Sequence, residues 1–360
     1  MTSTSEYCAP GHPDRVADGI VSYLLDRYIE KDPKTRFAVE AQVKDNHVTL
    51  GGEVTSAYAM PWLEIHRHVR DAICAIGYTP EYAKRWGAEN CIDPDALDVV
   101  AHIGQQSPDI AQGVDDGGWG DQGIFWGMAT GSELTGYMPL DHALAKGLGM
   151  WLYKAALDRS LTIGLDIKTQ VTISDGRLEE VIVAAPTKEK DAEPIRMAIL
   201  KWLWENQMLR LRDKSIDLTP CNLIFNGTGA YVRHASAGDC GTTGRKLAVD
   251  FYGGNCRIGG GSPWSKDATK ADVTLNVYAR ERALRMLKET NYGTVYCAIS
   301  CCIGKRDIRL SFFDGNMRQI ASETEARPAS EIIAELGLDR PVFAYRCRNG
   351  LFAEPGDAKP

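Results

Sequence analysis

Apolar residues recur every four positions at Val16, Ile20, Leu24 and Tyr28, which places them on one helical face, and Pro13 suits the first turn of that helix. The pattern then changes to alternation. "RFAVEAQVK" (36–44) and "HVTLGGEVT" (47–55) read as strands paired around Asn46, and a second helix is predicted over Trp62–Ile76, stopped by Gly77. Further strands are predicted at "DIKTQVTI", "EEVIVAAP", "NLIFNG", "KLAVDFY", "VYCAISCCIG" and "DIRLSFFD", with helical stretches near 142–158, 194–212, 268–288 and 330–336. Strand pairs alternating with helices define a mixed α/β (α+β) protein. At 360 residues the chain exceeds the usual size of one domain, and with no Pro- or Ser-rich linker its subdomains are expected to pack together.

Composition narrows the classes. A hydrophobic fraction of 44% and a charged fraction of 25% exclude disordered and fibrous proteins. No apolar run approaches the roughly 20 residues that span a bilayer, and "MTSTSEYCAPGHPDR" lacks a basic segment leading into an apolar one, so no membrane association and a cytoplasmic location are expected. The ten cysteines are scattered without C-x-x-C spacing and read as reduced. Cys297, Cys301 and Cys302 are either small core residues or a metal site. A net charge of −7 argues against general nucleic-acid binding. Yet residues 233–282 hold eight Lys or Arg against five Asp or Glu, consistent with a confined anion site or with a solvated face of mixed charge.

That basic region contains two glycine-rich segments. In "GGGSPWSKDATKAD" (259–272), bare backbone at Gly259, Gly260 and Gly261 allows positive φ and close approach to a ligand, and a helix beginning near Asp267 would set Lys266 and Lys270 on one side. Asp272 is left for another partner, such as a metal. A flexible turn before a charged helix is the competing reading. "GDCGTTGRK" (238–246) adds Asp239, Arg245 and Lys246, without the spacing of a Walker A loop. Four cations in two such loops suit a polyphosphate and its growing charge on departure. "GHPDR" sets His12 and Asp14 at a predicted helix N-terminus, where anions are favoured and a carboxylate can hold Mg²⁺. "GDQG" (120–123) echoes "GDCG", a weak sign of internal repetition.

Together these segments resemble the S-adenosylmethionine synthetase (methionine adenosyltransferase) family: "GHPDR" is similar to its GHPDK, "GGGSPWSKDATKAD" to GGGAFSGKDPTKVD and "GDCGTTGRK" to GDCGLTGRK. "GDQG", "SPDIAQGVD", "VTLGGEVT" and "DIKTQVTI" follow in the family's order from about Ser5 to Gly304. The resemblance implies three similar α/β subdomains around a pseudo-threefold axis, approximately 1–103, 114–229 and 230–360 and interleaved in the chain. It implies homodimers with active sites shared between subunits, sometimes tetramers. The implied reaction joins L-methionine to ATP: sulfur displaces tripolyphosphate from C5′, and the tripolyphosphate is hydrolysed to pyrophosphate and phosphate.

Carried onto this chain, the resemblance puts His12 beside the breaking bond, and Lys168, Arg245, Lys246 and Lys266 on the phosphates. Asp239 and Tyr231 would contact ATP. Glu53, Gln106, Asp121, Lys270 and Ile303 would hold methionine, Asp14 and Asp272 would bind Mg²⁺, two ions per site, and Glu40 would bind K⁺. Four departures are visible. Arg15 replaces the familiar Lys, Pro10 stands where a Glu is usual, only "DGGW" separates "GVD" from "GDQG", and the region after about 310 matches poorly and lacks the usual ending. Two other functions stay open: the same chemistry on another sulfur or nucleotide substrate, and a noncatalytic ATP-binding partner subunit.

Overall fold

The computed structural model describes residues 2–105, 117–206 and 221–353. Helix α1 (Pro13–Lys31) starts where His12 caps it, its ring accepting from the Asp14 N–H, and Pro13 fills the first helical position, which has no intrahelical partner to lose. Val16, Ile20, Leu24 and Tyr28 are all buried. Strands β2 (Arg36–Lys44) and β3 (His47–Thr55) pair antiparallel through a turn with Asp45 at φ 52°. Helix α2 (Trp62–Ile76) ends at Gly77, whose φ of 113° few side chains tolerate.

The chain continues through α3 (Pro80–Trp86), β4 (Asp98–Gly104), β5 (Gly123–Thr130), α4 (Leu140–Leu157), β6 (Lys168–Ser174), β7 (Arg177–Ala184), α5 (Ala192–Glu205) and β8 (Asn222–Phe225). Then come α6 (Ala235–Gly238), β9 (Gly241–Thr242), α7 (Leu247–Asp250), α8 (Ala271–Glu289), β10 (Thr294–Cys301), β11 (Asp307–Asp314), β12 (Gln319–Ala326), α9 (Ala329–Glu335) and α10 (Phe343–Asn349). A short strand, β1 (Thr2–Cys8), precedes α1.

Among the described residues the strands form three four-stranded sheets, ordered β1-β6-β7-β8, β4-β3-β2-β9 and β12-β11-β10-β5. Pairing is antiparallel except at β3–β4 and β7–β8. Helix α4 packs on β1 and β6, α1 on β2, and α8 on β5 and β10, so each sheet buries one face against a helix. One apolar core joins the first two sheets, and a second, with Trp119, Phe125, Leu275, Ile299 and Phe312, lies under α8. Of its cluster, Cys297 is buried in that second core, Cys301 is half-buried and Cys302 exposed, so the core reading holds for Cys297, and all ten cysteines are free thiols. Among the described residues no helix is long and apolar enough to cross a membrane.

Two local expectations fail. "KLAVDFY" is not a strand but contains α7, a single helical turn with Asp250 N–H bonded to the Lys246 carbonyl. Leu247 and Phe251 are four apart, so the same apolar residues fit a helical turn, and that turn directs Asp250 into the interior. The helix expected near Asp267 begins instead at Ala271. Residues 265–267 lie beside β2, with Val39 N–H donating to the Ser265 carbonyl and Asp267 N–H to the Phe37 carbonyl.

Candidate active site

Both glycine-rich segments are seated on the same edge of β2. Residues 241–243 pair with Ala41, Gln42 and Val43, and residues 265–267 lie one step further along at Phe37–Val39. Glu40, between them, accepts from the hydroxyls of Thr243 and Ser265, the latter at 2.9 Å. Close approach explains the glycines better than flexibility does. A Cβ on Gly241 would lie 2.1 Å from the Pro13 carbonyl oxygen, and one on Gly259 would lie 2.1 Å from the Ile124 carbonyl oxygen. Of Gly259, Gly260 and Gly261, only Gly260 uses positive φ (71°).

The first loop meets the start of α1. Lys246 Nζ donates to Asp14 Oδ2 at 2.5 Å, Thr242 N–H donates to Asp14 Oδ1 at 2.9 Å, and Arg245 stands 3.6 Å from Oδ1. Burial opposes ionisation of Asp14, but these hydrogen bonds outweigh it and hold the carboxyl below its ordinary value. His12 is pulled down to about 3, first by burial and then by the charge of Lys246, with Asp14 opposing. It is therefore neutral at physiological pH. Because Nδ1 accepts from the Asp14 N–H at 3.2 Å, the ring proton belongs on Nε2, where it is available to a ligand.

Lys168 begins β6, opposite Cys8 at the end of β1, and its ammonium lies 3.6 Å from Glu6. Its charge also acts on His12. Asp239 and Tyr231 gather round Asp166, two residues before Lys168. Burial pushes Asp166 up to about 7 against the Ala235 N–H that it accepts at 2.9 Å, with the charge of Asp239 adding to the rise. Burial, then Asp166, raises the Tyr231 hydroxyl.

The second loop builds a matching pair. Lys266 Nζ donates to Asp272 Oδ2 at 2.6 Å while Gly261 N–H donates to Oδ1 at 2.7 Å. Lys266 and Lys270 do not share a helical face. Lys270 caps α8 and points toward Asp267 at 4.0 Å, and Asp267 is itself pinned to β2 by the Phe37 N–H at 2.8 Å. Burial lowers the Lys270 ammonium, Asp267 opposes, and the charges of Arg36, Lys266 and Glu53 also act on it. Glu53 faces Ala38 across the β2–β3 pair. The Asp121 carbonyl accepts from the Cys301 thiol at 3.4 Å, and Asp272 acts on that same thiol. Ile303, 54% exposed, bridges to Trp119 just before the "GDQG" segment. Gln106 lies outside the described residues, as does Asp116, the first residue of the shortened loop.

Two groups therefore flank Glu40: His12, Asp14, Lys168, Tyr231, Asp239, Arg245 and Lys246 on one side, and Glu53, Asp121, Lys266, Lys270, Asp272 and Ile303 on the other. A cavity of about 890 Å³ between α1, α2, α4 and α10, and another of about 1120 Å³ beside α8 and α9, contain none of them. Some of the local positive charge is structural: Arg280 donates to the Gly136 carbonyl at 2.6 Å and Arg233 to the Ala237 carbonyl at 2.9 Å. Arg15 is also elsewhere. Its guanidinium does not face the site but is 3% exposed among buried carboxylates.

Three helix-backed sheets that set two loop lysines against aspartates in the first turns of helices, one pair beside a neutral histidine, define an α/β protein suited to a polyphosphate ligand. The comparisons give the family. The N-terminal, central and C-terminal domain models of S-adenosylmethionine synthetase match residues 1–108, 116–231 and 234–358. S-adenosylmethionine synthase 1 of Rhodopseudomonas palustris is 35% identical over 371 residues, covering 97% of this chain and 92% of that protein. The S-adenosylmethionine synthase of Clostridium tetani is 31% identical, covering 97% and 93%. A solved structure described as an unusual S-adenosylmethionine synthetase from Campylobacter jejuni has a TM-score of 0.86 at 29% identity, covering 97% of this chain and 94% of that one. The chain belongs to the S-adenosylmethionine synthetase family. The C-terminal match extends through the divergent region after about 310 to residue 358 and includes α10, which packs on α1.

Proposed function

We propose that this chain makes S-adenosylmethionine: the thioether sulfur of L-methionine attacks C5′ of ATP, the C5′–O bond breaks, and tripolyphosphate leaves and is then hydrolysed to pyrophosphate and phosphate. The observation that carries this reading is the pair of lysine–aspartate couples, Lys246–Asp14 and Lys266–Asp272, each joining a loop seated along one strand edge to the first turn of a helix. A thioether has no proton to lose, so no general base is needed. The task is to align sulfur with C5′ and to stabilise the departing negative charge. Lys168, Arg245, Lys246 and Lys266 supply fixed positive charge, and neutral His12 offers Nε2–H to the leaving oxygen. On this reading Asp239 and Tyr231 position the nucleoside, while Glu53, Gln106, Asp121, Lys270 and Ile303 hold methionine, Glu53 on its ammonium and Lys270 on its carboxylate.

The family is metal-dependent, and the donor set here fits Mg²⁺. Among the described residues no three His, Cys, Asp or Glu side chains converge, so the protein offers single carboxylates rather than a cage. Mg²⁺ suits such a site because it keeps waters and shares phosphate oxygens. Asp14 and Asp272 would hold two ions, which when bound neutralise charge on the triphosphate. Glu40, already among hydroxyl oxygens, is the proposed K⁺ ligand. The free thiols agree with action in the cytoplasm.

Phosphorus NMR during turnover tests the reaction. Pyrophosphate and phosphate should accumulate in equal amounts only when methionine is present. Accumulation of ADP or AMP instead would indicate attack at phosphorus and contradict the reading.

An exposed sheet face beside the candidate residues supports a homodimer with shared sites. The β4-β3-β2-β9 sheet leaves Glu40 and Glu53 exposed on the face away from α1, and that face is the proposed contact between copies. Mixing an inactive Asp14→Asn chain with an inactive Lys270→Ala chain should restore activity, up to about a quarter of wild type for random pairing in a two-fold dimer. An enzyme that is active while strictly monomeric by light scattering would overturn this arrangement.

A further inference from the structure

We propose that Arg15, with Asp18 and Asp250, positions both phosphate-facing loops from behind and ties their placement to the C-terminal helix α10. The proposal rests on the reading above for what the loops hold, but not for the network itself. Arg15 follows Asp14 on α1, yet its side chain turns into the interior. Nη1 lies 3.1 Å from Asp18 Oδ2 and 2.5 Å from Asp250 Oδ1, and Nη2 donates to the Cys347 carbonyl at 2.7 Å.

Each carboxylate then spends its second oxygen on a different loop. Asp18 Oδ1 accepts from the N–H of Gly244, the residue before Arg245, at 2.9 Å. Asp250 Oδ2 accepts from the indole Nε1–H of Trp264, two residues before Lys266, at 2.7 Å. The Trp264 ring also lies under the Arg15 guanidinium, 5.3 Å from ring centre to Cζ. One cation thus holds, through Asp18, the backbone just ahead of Arg245 and Lys246 and, through Asp250, the Trp264 side chain just ahead of Lys266.

Three features set this apart from an ordinary buried ion pair. First, Gly244 (φ 75°) and Ser265 (φ 71°) both hold left-handed backbone beside the functional lysines and arginine, a conformation that Ser265 keeps only if its surroundings enforce it. Second, the acceptors point in different directions. A planar guanidinium with several donors can serve Asp18, Asp250 and the Cys347 carbonyl together, whereas a shorter ammonium cannot. Third, two carboxylates share one buried cation. Burial raises both Asp18 and Asp250, with Arg15 opposing, so the two acids depend on the same cation. The Cys347 contact joins α10 to the same guanidinium, so the C-terminal segment helps to hold loops about 100 residues earlier in sequence.

The test uses the full-length protein with Arg15→Lys, which keeps the charge and loses the fork, and Trp264→Phe, which keeps the ring and loses one donor. Hydrogen–deuterium exchange is read without substrates. Arg15→Lys should speed exchange about tenfold in both 241–246 and 262–267, and Trp264→Phe should do so in 262–267. In turnover, each should lower kcat by about tenfold or more while KM for methionine changes less than about threefold, because the cations are misplaced rather than removed. The double variant should lose little beyond the worse single, since both substitutions act through Asp250. Unchanged exchange in both segments, or single effects on kcat that simply add, would overturn the proposal. If Arg15→Lys does not fold, Trp264→Phe alone still decides the link to the second loop. A wild-type protein that forms no sulfonium product would refute the functional reading, and the exchange result would still judge the network.

Discussion

Replacing His12 with Ala is expected to lower kcat by roughly 10²-fold or more with a smaller change in KM for ATP, the scale of losing one hydrogen-bond donor to a developing anion. The ring is 7% exposed and held in one tautomer, because its Nδ1 accepts from the Asp14 N–H. Burial and Lys246 keep it neutral, so what it gives a ligand is the Nε2–H bond rather than charge. Charge on the oxygen leaving C5′ grows toward the transition state, and a donor there gains most at that point. His12→Asn retains a donor on a shorter side chain and should fall between wild type and His12→Ala. Hydrolysis of added tripolyphosphate breaks a different bond and should suffer less. Survival of sulfonium formation in His12→Ala with collapse of tripolyphosphate hydrolysis would assign His12 to the second reaction.

Lys270→Ala should weaken use of methionine by about 2 to 4 kcal/mol, the usual loss for a desolvated charged contact, and leave ATP binding much less affected. Its side chain is 18% exposed, with the ammonium 4.0 Å from Asp267, whose oxygens are already engaged with Phe37 N–H and with Thr269. Burial destabilises that ammonium, so a substrate carboxylate arriving beside it gains a strong partner. Steady-state kinetics varying each substrate in turn will separate the two effects. Equal damage to ATP and methionine would contradict the assignment.

The elements legible in the sequence are those whose periodicity is uninterrupted. Helices α1 and α2 and strands β2 and β3 bury one regular face each, and their caps and turns carry recognisable residues, His12–Pro13 and Gly77 among them. Strand β12 (Gln319–Ala326) escaped because as an edge strand it buries almost nothing, and β9 because it is two residues long. The segment around α7 was misread because Leu247, Val249 and Phe251 alternate, while the deciding feature is the inward turn of Asp250.

Among site residues, motif spacing located the loops and their charges but not their attachment. That Lys266 faces Asp272, and Lys270 faces Asp267, follows from residues 265–267 being captured by β2, a contact more than 200 residues distant in sequence. Asp18, Asp166, Asp250 and Asp267 gave no signal for the same reason. Each is defined by a partner far away in the chain, such as Gly244 for Asp18, Arg15 for Asp250 and Phe37 for Asp267.

The central claim is that sulfur attacks C5′ on this chain, and the most direct measurement is mass spectrometry of purified protein incubated with ATP, L-methionine and Mg²⁺. The account predicts the sulfonium S-adenosylmethionine, formed only when all three are present and in proportion to the pyrophosphate released. ATP and methionine recovered unchanged from well-folded protein, or ATP consumed with no sulfonium product, would contradict it.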